Sequence, residues 1–302
     1  MIVFAASDKG GSGRTVTGCN VAYHLAQRHD VVYVDFDFGS PTVGAVFEVG
    51  VADRGIDHGG LHSYFTDAIA EPAQLDVWSR TARSDLRDGG ARRGRLVLVP
   101  GDRGGAEFSV SAESTRRCVD LLARLDAEFD VCVVDLSGGR SYALSMALEA
   151  TAHRALAPST VRWLVFHRWT RQHVLAASGL VHGHRGLLSV GQSVGHQPDE
   201  LLDAIRYVRV AVPDLKISDH RATPALAAWL LACDAELRSL AVERRLGRSR
   251  VLGVTPVEPV LQWREQVIAE SDVAAGIASE GTVVAFRELA DRLVDPAMWE
   301  LV

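Results

Sequence analysis

The first forty residues constrain the fold more tightly than anything that follows them. Residues 2–6 (Ile-Val-Phe-Ala-Ala) form a short, wholly apolar run, and Gly10, Gly11 and Gly13 punctuate the turn behind it. Val16, Cys19, Val21, Ala22 and Leu25 then recur at helical spacing within residues 15–28. A second apolar run spans residues 31–36 and leads into Asp37. Two apolar runs flanking a helix predict a β-α-β unit. Strands joined in this way run parallel, so the sheet they start must be covered on both faces.

The alternation continues along the chain. Residues 96–99, 131–136, 163–166 and 251–254 read as further strands, and residues 113–128, 142–152, 171–181, 222–245 and 282–293 as helices. The implied fold class is α/β, a doubly wound, mostly parallel sheet with helices on both faces. Residues 1–302 read as one domain, with irregular insertions at about 49–95 and 183–221 and a loop or small insertion at 191–198. At 47% apolar and 23% charged residues the chain has ordinary globular composition. No run approaches the roughly 18 apolar residues of a membrane helix, and no leader precedes the first strand, so a cytoplasmic location is expected. Cys19, Cys118, Cys132 and Cys233 are widely spaced and read as isolated thiols.

The glycine turn also carries the chemistry. Gly10, Gly11 and Gly13 let the backbone turn tightly, and the helix that follows brings its positive end, which together suit phosphate oxygens. Thr15 places a hydroxyl where Mg²⁺ could be held. Of the 32 cationic residues only Lys9 and Lys216 are lysines, so a lysine immediately before the double glycine stands out. Carboxylates end two strands, at Asp35 and Asp135, and Ser137-Gly138-Gly139 follows the second.

Residues 9–15, Lys-Gly-Gly-Ser-Gly-Arg-Thr, resemble the deviant Walker A loop of the ParA/MinD superfamily of P-loop ATPases at every fixed position except Arg14. Asp35-Phe36-Asp37 resembles the end of that family's second strand, and residues 129–135 its Walker B segment. The chain also resembles an actinobacterial family of variant P-loop proteins, in keeping with its preference for arginine over lysine.

The resemblance implies a P-loop NTPase fold of the SIMIBI type, with ATP and Mg²⁺ as cofactors. It implies that Lys9, Gly10, Gly11, Ser12, Gly13, Arg14, Thr15 and Val16 hold phosphates, with Gly138 and Gly139 facing them from switch II. Thr15, Asp35 and Asp135 would serve the metal, and Asp37 would position water. Lys9 would reach the partner's nucleotide across a face-to-face homodimer. Residues 255–258, with Pro256 and Val257, are the candidate contacts to the base.

Arg14 bears on all of this. Lysine presents a compact point charge to the phosphates, whereas arginine is planar and forked. The charge survives and can meet phosphate through two N–H groups. Binding is therefore expected to persist better than hydrolysis, which rests on positioning. The leading expectation is a nucleotide-dependent dimerisation switch or scaffold for an unidentified protein partner, at most a slow ATPase. The alternatives are an interaction module that binds no nucleotide, and an ATP-dependent ligase or synthetase of the same superfamily.

Other features carry less. Arg80, Arg83, Arg87, Arg92, Arg93, Arg95 and Arg103 cluster in one segment, and Arg244, Arg245, Arg248 and Arg250 in another, which would suit nonspecific DNA. Interleaved carboxylates and a net charge of −6 favour solvated loops instead. His173, His182, His184 and His196 lack a metal-site spacing. The segment after Pro296 is too short and too acidic for an amphipathic membrane anchor, and Met298, Trp299 and Leu301 are expected to pack on the body or a partner.

Overall fold

A computed structural model describes residues 1–88, 93–213 and 223–300. These residues build an eight-stranded sheet from β1 (Ile2–Ala6), β2 (Val31–Phe36), β3 (Leu75–Asp76), β4 (Leu96–Val99), β5 (Val131–Leu136), β6 (Val161–Arg168), β7 (Ile205–Val212) and β8 (Val251–Pro256). The strand order is β3-β4-β2-β5-β1-β6-β7-β8. All pairs are parallel except β3 with β4.

Every residue of β1, β2 and β5 is buried, as expected for central parallel strands covered on both sides. Their side chains divide by alternation between two cores. Ile2, Phe4, Val32, Val34, Cys132 and Val134 face helices Ala112–Glu128 and Tyr142–Thr151 on one side. Val3, Ala5, Val31, Tyr33, Val131 and Val133 face helices Arg14–Leu25 and Glu280–Val294 on the other. Cys19, Cys118 and Cys132 are buried free thiols, and Cys233 is half-buried.

The expected strands and helices form, with boundaries moved by a few residues. The long helix expected at 222–245 runs Pro224–Glu243, and its first expected residue, Ala222, lies outside the described residues. The main correction is at 183–221. Within this expected insertion, Leu187–Ser193 and Pro198–Asp203 are helical and β7 is an interior strand between β6 and β8. Arginines at positions 206 and 209 interrupt the apolar run and hide the strand. The buried Arg206 is accommodated because its guanidinium donates to the carbonyls of Asp203 (2.8 Å), Ile205 (2.9 Å) and Met298 (3.0 Å).

Near the C-terminal end Trp299 is buried, with Arg162 and Arg206 over its ring at 4.4 and 4.9 Å. Met298 is 40% exposed, and Leu301 lies outside the described residues. No helix among the described residues is long and apolar enough to cross a membrane.

Candidate phosphate site

The site forms where the C-terminal ends of β2, β5 and β1 lie side by side. Asp35 and Asp135 are register partners across β2 and β5, and Ala5 is the partner of Asp135 on β1. Expected residues one hundred positions apart therefore meet at one sheet edge. The Gly139 N–H donates to the Ser7 carbonyl at 2.7 Å, and the Ser137 hydroxyl donates to the Phe36 carbonyl at 3.1 Å. Together these bonds draw the turn containing Gly138 and Gly139 over the glycine loop.

Gly11 and Gly13 adopt φ of +67° and +77°, values that side-chain-bearing residues rarely take. At Gly13 a methyl group would also approach Val210 Cγ1 to 2.7 Å, so β7 closes one wall of the loop. A methyl group at Gly10 or Gly11 would meet nothing within 4 Å, so that side of the loop is open. The helix Arg14–Leu25 begins there, and its first intrahelical bond runs from the Thr17 N–H to the Gly13 carbonyl at 2.9 Å. The amides before Thr17 have no preceding turn to donate into, which is the usual basis of an anion site. Lys9 is exposed at the rim and makes no hydrogen bond or ion pair among the described residues.

Arg14 points inward, and its side chain is 8% exposed. Nε donates to Asp135 Oδ1 in a close ion pair. Nη2 lies 3.4 Å from Asp37 Oδ2 and 3.5 Å from Thr15 Oγ1, and Nη1 lies 3.4 Å from Ser7 Oγ. Burial works against the charge, but Asp135 and Asp37 outweigh it and hold the guanidinium pKa above its ordinary value.

The acidic residues are similarly engaged. Asp35 accepts the Asp37 N–H at Oδ1 and the Val43 N–H at Oδ2, both at 3.2 Å. Burial, reinforced by the charge of Asp135, pushes its carboxyl well above the ordinary range. Burial also raises Asp37, with Arg14 opposing the shift. Asp35 and Asp135 lie side by side at the strand ends, and Thr15 is linked to Asp135 through Arg14. Asp135 and Thr15 meet the Arg14 guanidinium, and Asp35 meets two backbone amides. Among the described residues no group of three or more His, Cys, Asp or Glu side chains is placed to hold a metal ion.

Beside the loop is a cavity of about 150 Å³, lined by Gly11, Ser12, Gly13, Val16, Thr17, Arg168, Val210, Ala211, Pro256 and residues of the following turn. Pro256 is where the base-side expectation placed it, whereas Val257 is exposed and outside the lining. Glu258 is buried and structural, accepting the Ser279 N–H at 3.0 Å and the Thr282 hydroxyl at 2.7 Å. The sequence reading missed Ser7, Val210 and Ala211. Ala211 takes φ of +54° where the β7–β8 register shifts, and such strained bulges concentrate at functional edges. No pattern in the sequence marks that bulge.

The arginine clusters are largely spoken for. Arg83 pairs with Asp85 and with Asp272 (3.0 Å), and Arg95 with Asp30 and Glu128 (both 2.9 Å). Arg93 lies 3.9 Å over the Trp78 ring, and Arg103 pairs with Asp57 at 3.2 Å. Arg250 pairs with Asp203 at 3.4 Å, and Arg92 lies outside the described residues. His196 and His182 are hydrogen-bonded to Thr151 and Tyr207, respectively.

Sheet order, glycine loop and strand-end carboxylates together define a P-loop NTPase fold of the ParA/MinD type. Solved structures agree. The chain is similar to the MinD cell division protein of Aquifex aeolicus, at TM-score 0.61 and 14% identity, covering 97% of this chain and 95% of that one. It is similar to the septum site-determining protein MinD of Pyrococcus horikoshii complexed with Mg-ADP, at 0.53 and 16%, covering 98% and 96%. A plasmid partition protein of Borrelia burgdorferi bound to AMPPNP matches at 0.57 and 14%, covering 97% and 98%. No protein-family model matches the chain, and no curated protein matches it.

Proposed function

We propose that residues 1–302 form one nucleotide-binding domain that acts in the cytoplasm as a ParA/MinD-like switch or scaffold. The phosphates of ATP would lie against the open side of the glycine loop, and the loaded form would pair face to face with a second copy. The observation that carries this reading is the loop itself. Gly10 and Gly11 border open space above the first turn of a helix, and Lys9, exposed and without an ion pair among the described residues, stands at the rim. The solved neighbours with Mg-ADP and AMPPNP support the reading by analogy of fold.

Hydrolysis is weak or absent in this reading. Asp37, the expected water-positioning residue, is held 3.4 Å from Arg14 Nη2, so its carboxylate is already engaged by a cation. Phosphoryl transfer depends on positioning and on preorganised charge, both of which that pair diverts. The residues expected to hold Mg²⁺ do not fit an ion in this arrangement, and no step is assigned to one.

Titration of labelled ATP, with sedimentation velocity in parallel, tests the proposal. The wild type is expected to bind and to shift to a dimer, and Lys9→Ala to bind while remaining a monomer. Absence of both binding and mass change in the wild type would reject the switch. The second reading, an interaction module without nucleotide, would then stand. It is favoured by one observation, that Arg14 already satisfies the site's carboxylates from within the chain.

A further inference from the structure

We infer that Arg14 is a resident cation occupying the place of a divalent metal, so that polyphosphate binds this chain independently of Mg²⁺. The binding half of this inference rests on the nucleotide reading above; the occupancy half does not.

The geometry comes from three directions. Thr15, at the start of the helix, Asp37, just beyond β2, and Asp135, on β5, surround one point, and the guanidinium fills it. Nη2 approaches both Thr15 Oγ1 (3.5 Å) and Asp37 Oδ2 (3.4 Å), while Nε takes Asp135 Oδ1. A small, strongly hydrated Mg²⁺ needs near-octahedral oxygen ligands at about 2.0–2.1 Å, which leaves no room for a guanidinium among them. The forked planar group, by contrast, matches carboxylates set at an angle to one another.

The remaining donors do not assemble a site elsewhere. Both oxygens of Asp35 accept backbone amides. Asp135 Oδ2 is a buried acceptor without a donor among the described residues, and a single free carboxylate oxygen is a poor divalent site. A lysine at position 14 could not make this arrangement, because its single ammonium cannot meet Asp135, Asp37, Thr15 and Ser7 from three separate nitrogens. The residue that departs from the usual loop is therefore also the group that fills the centre of this cluster. With the guanidinium held by Asp135 and Asp37, incoming phosphate is met by the first-turn amides and, in the paired form, by Lys9 of the second copy.

The test compares ATP binding in Mg²⁺ with binding in excess EDTA, for the wild-type chain and for Arg14→Lys, after circular dichroism and melting have shown the variant folded. The wild type is expected to keep its affinity within about threefold between the two buffers, and Arg14→Lys to lose about tenfold or more in EDTA. A wild type that binds in Mg²⁺ and fails in EDTA overturns the inference, and this arm needs no variant. A wild type silent in both buffers, with Mg²⁺-dependent binding by Arg14→Lys, rejects nucleotide binding by the native chain and supports Arg14 as occupant of the metal position. Silence of both proteins in both buffers counts against the nucleotide reading and against Arg14 as the controlling group.

Discussion

Two helices of this molecule meet opposite fates. Arg14–Leu25 buries ten of its twelve residues, whereas Pro224–Glu243 buries only Leu240 and Ala241 of its twenty. The buried helix carries polar residues that are satisfied internally. Asn20 donates to the carbonyls of Val16 (2.8 Å) and Gln266 (3.1 Å) and accepts the Ile268 N–H at 2.7 Å. The exposed helix is Ala- and Leu-rich, begins with a Thr223 cap and Pro224, and leaves Trp229 62% and Val242 70% exposed. Its helicity follows from local propensity and capping. What separates the two is the company the sheet provides, since hydrophobicity alone would have buried the second.

The comparison can be broken most directly at Arg14. Removing a buried charge from a close ion pair leaves Asp135 unpaired, so Arg14→Met is expected to lose about 3–5 kcal/mol in urea denaturation. A loss below about 1 kcal/mol would mean that the pair does not hold the helix to the sheet.

Acid provides the next test. His24 is buried in the same helix, its Nε2 without a partner among the described residues, and burial lowers its pKa to about 4. A histidine held neutral in this way supports the fold fully above pH 6.5, and that support is lost as pH falls from 6.5 toward 4. The loss attributable to His24 is roughly 3 kcal/mol. Denaturation midpoints across that window should fall more steeply for the wild type than for His24→Gln. Parallel profiles would contradict the assignment. His167, also lowered to about 4 by burial, remains in both proteins and contributes to the residual slope, with the burial-lowered His173 and His182 and the burial-raised Asp35 and Asp37.

Asn20→Ala sharpens the contrast further, since it strands the Ile268 amide and the Gln266 carbonyl. A loss of about 2 kcal/mol is expected by the same measurement. The smallest effect belongs to the other helix. Trp229→Ser should change stability by no more than about 0.5 kcal/mol, because little area is buried there. A loss several times larger would show that the helix is packed more tightly than its exposure indicates.

Much of this was legible beforehand. The glycine loop, β2 and β5 announce themselves by apolar runs ending in Asp35 and Asp135, and the structure places those ends side by side. Strand β7 was hidden because Arg206 and Arg209 break its apolar pattern, and only the carbonyls around Arg206 explain why the strand tolerates burial. The Ala211 bulge left no trace in composition, since alanine does not signal a positive φ. The residues expected to serve a metal lie at neighbouring strand ends and the helix start, with the Arg14 guanidinium against Asp135 and Thr15. Spacing tells which side chains converge; it is silent on what fills the centre.

The order of apolar runs and glycines by itself determined a parallel sheet with a phosphate-suited loop, because backbone sterics and strand connection rules act locally and leave few alternatives. The destination of the Arg14 side chain was decided only in three dimensions. Its partners come from separate strand ends and are adjacent only once the sheet has formed, and whether a cation turns outward to a ligand or inward to carboxylates depends on that adjacency.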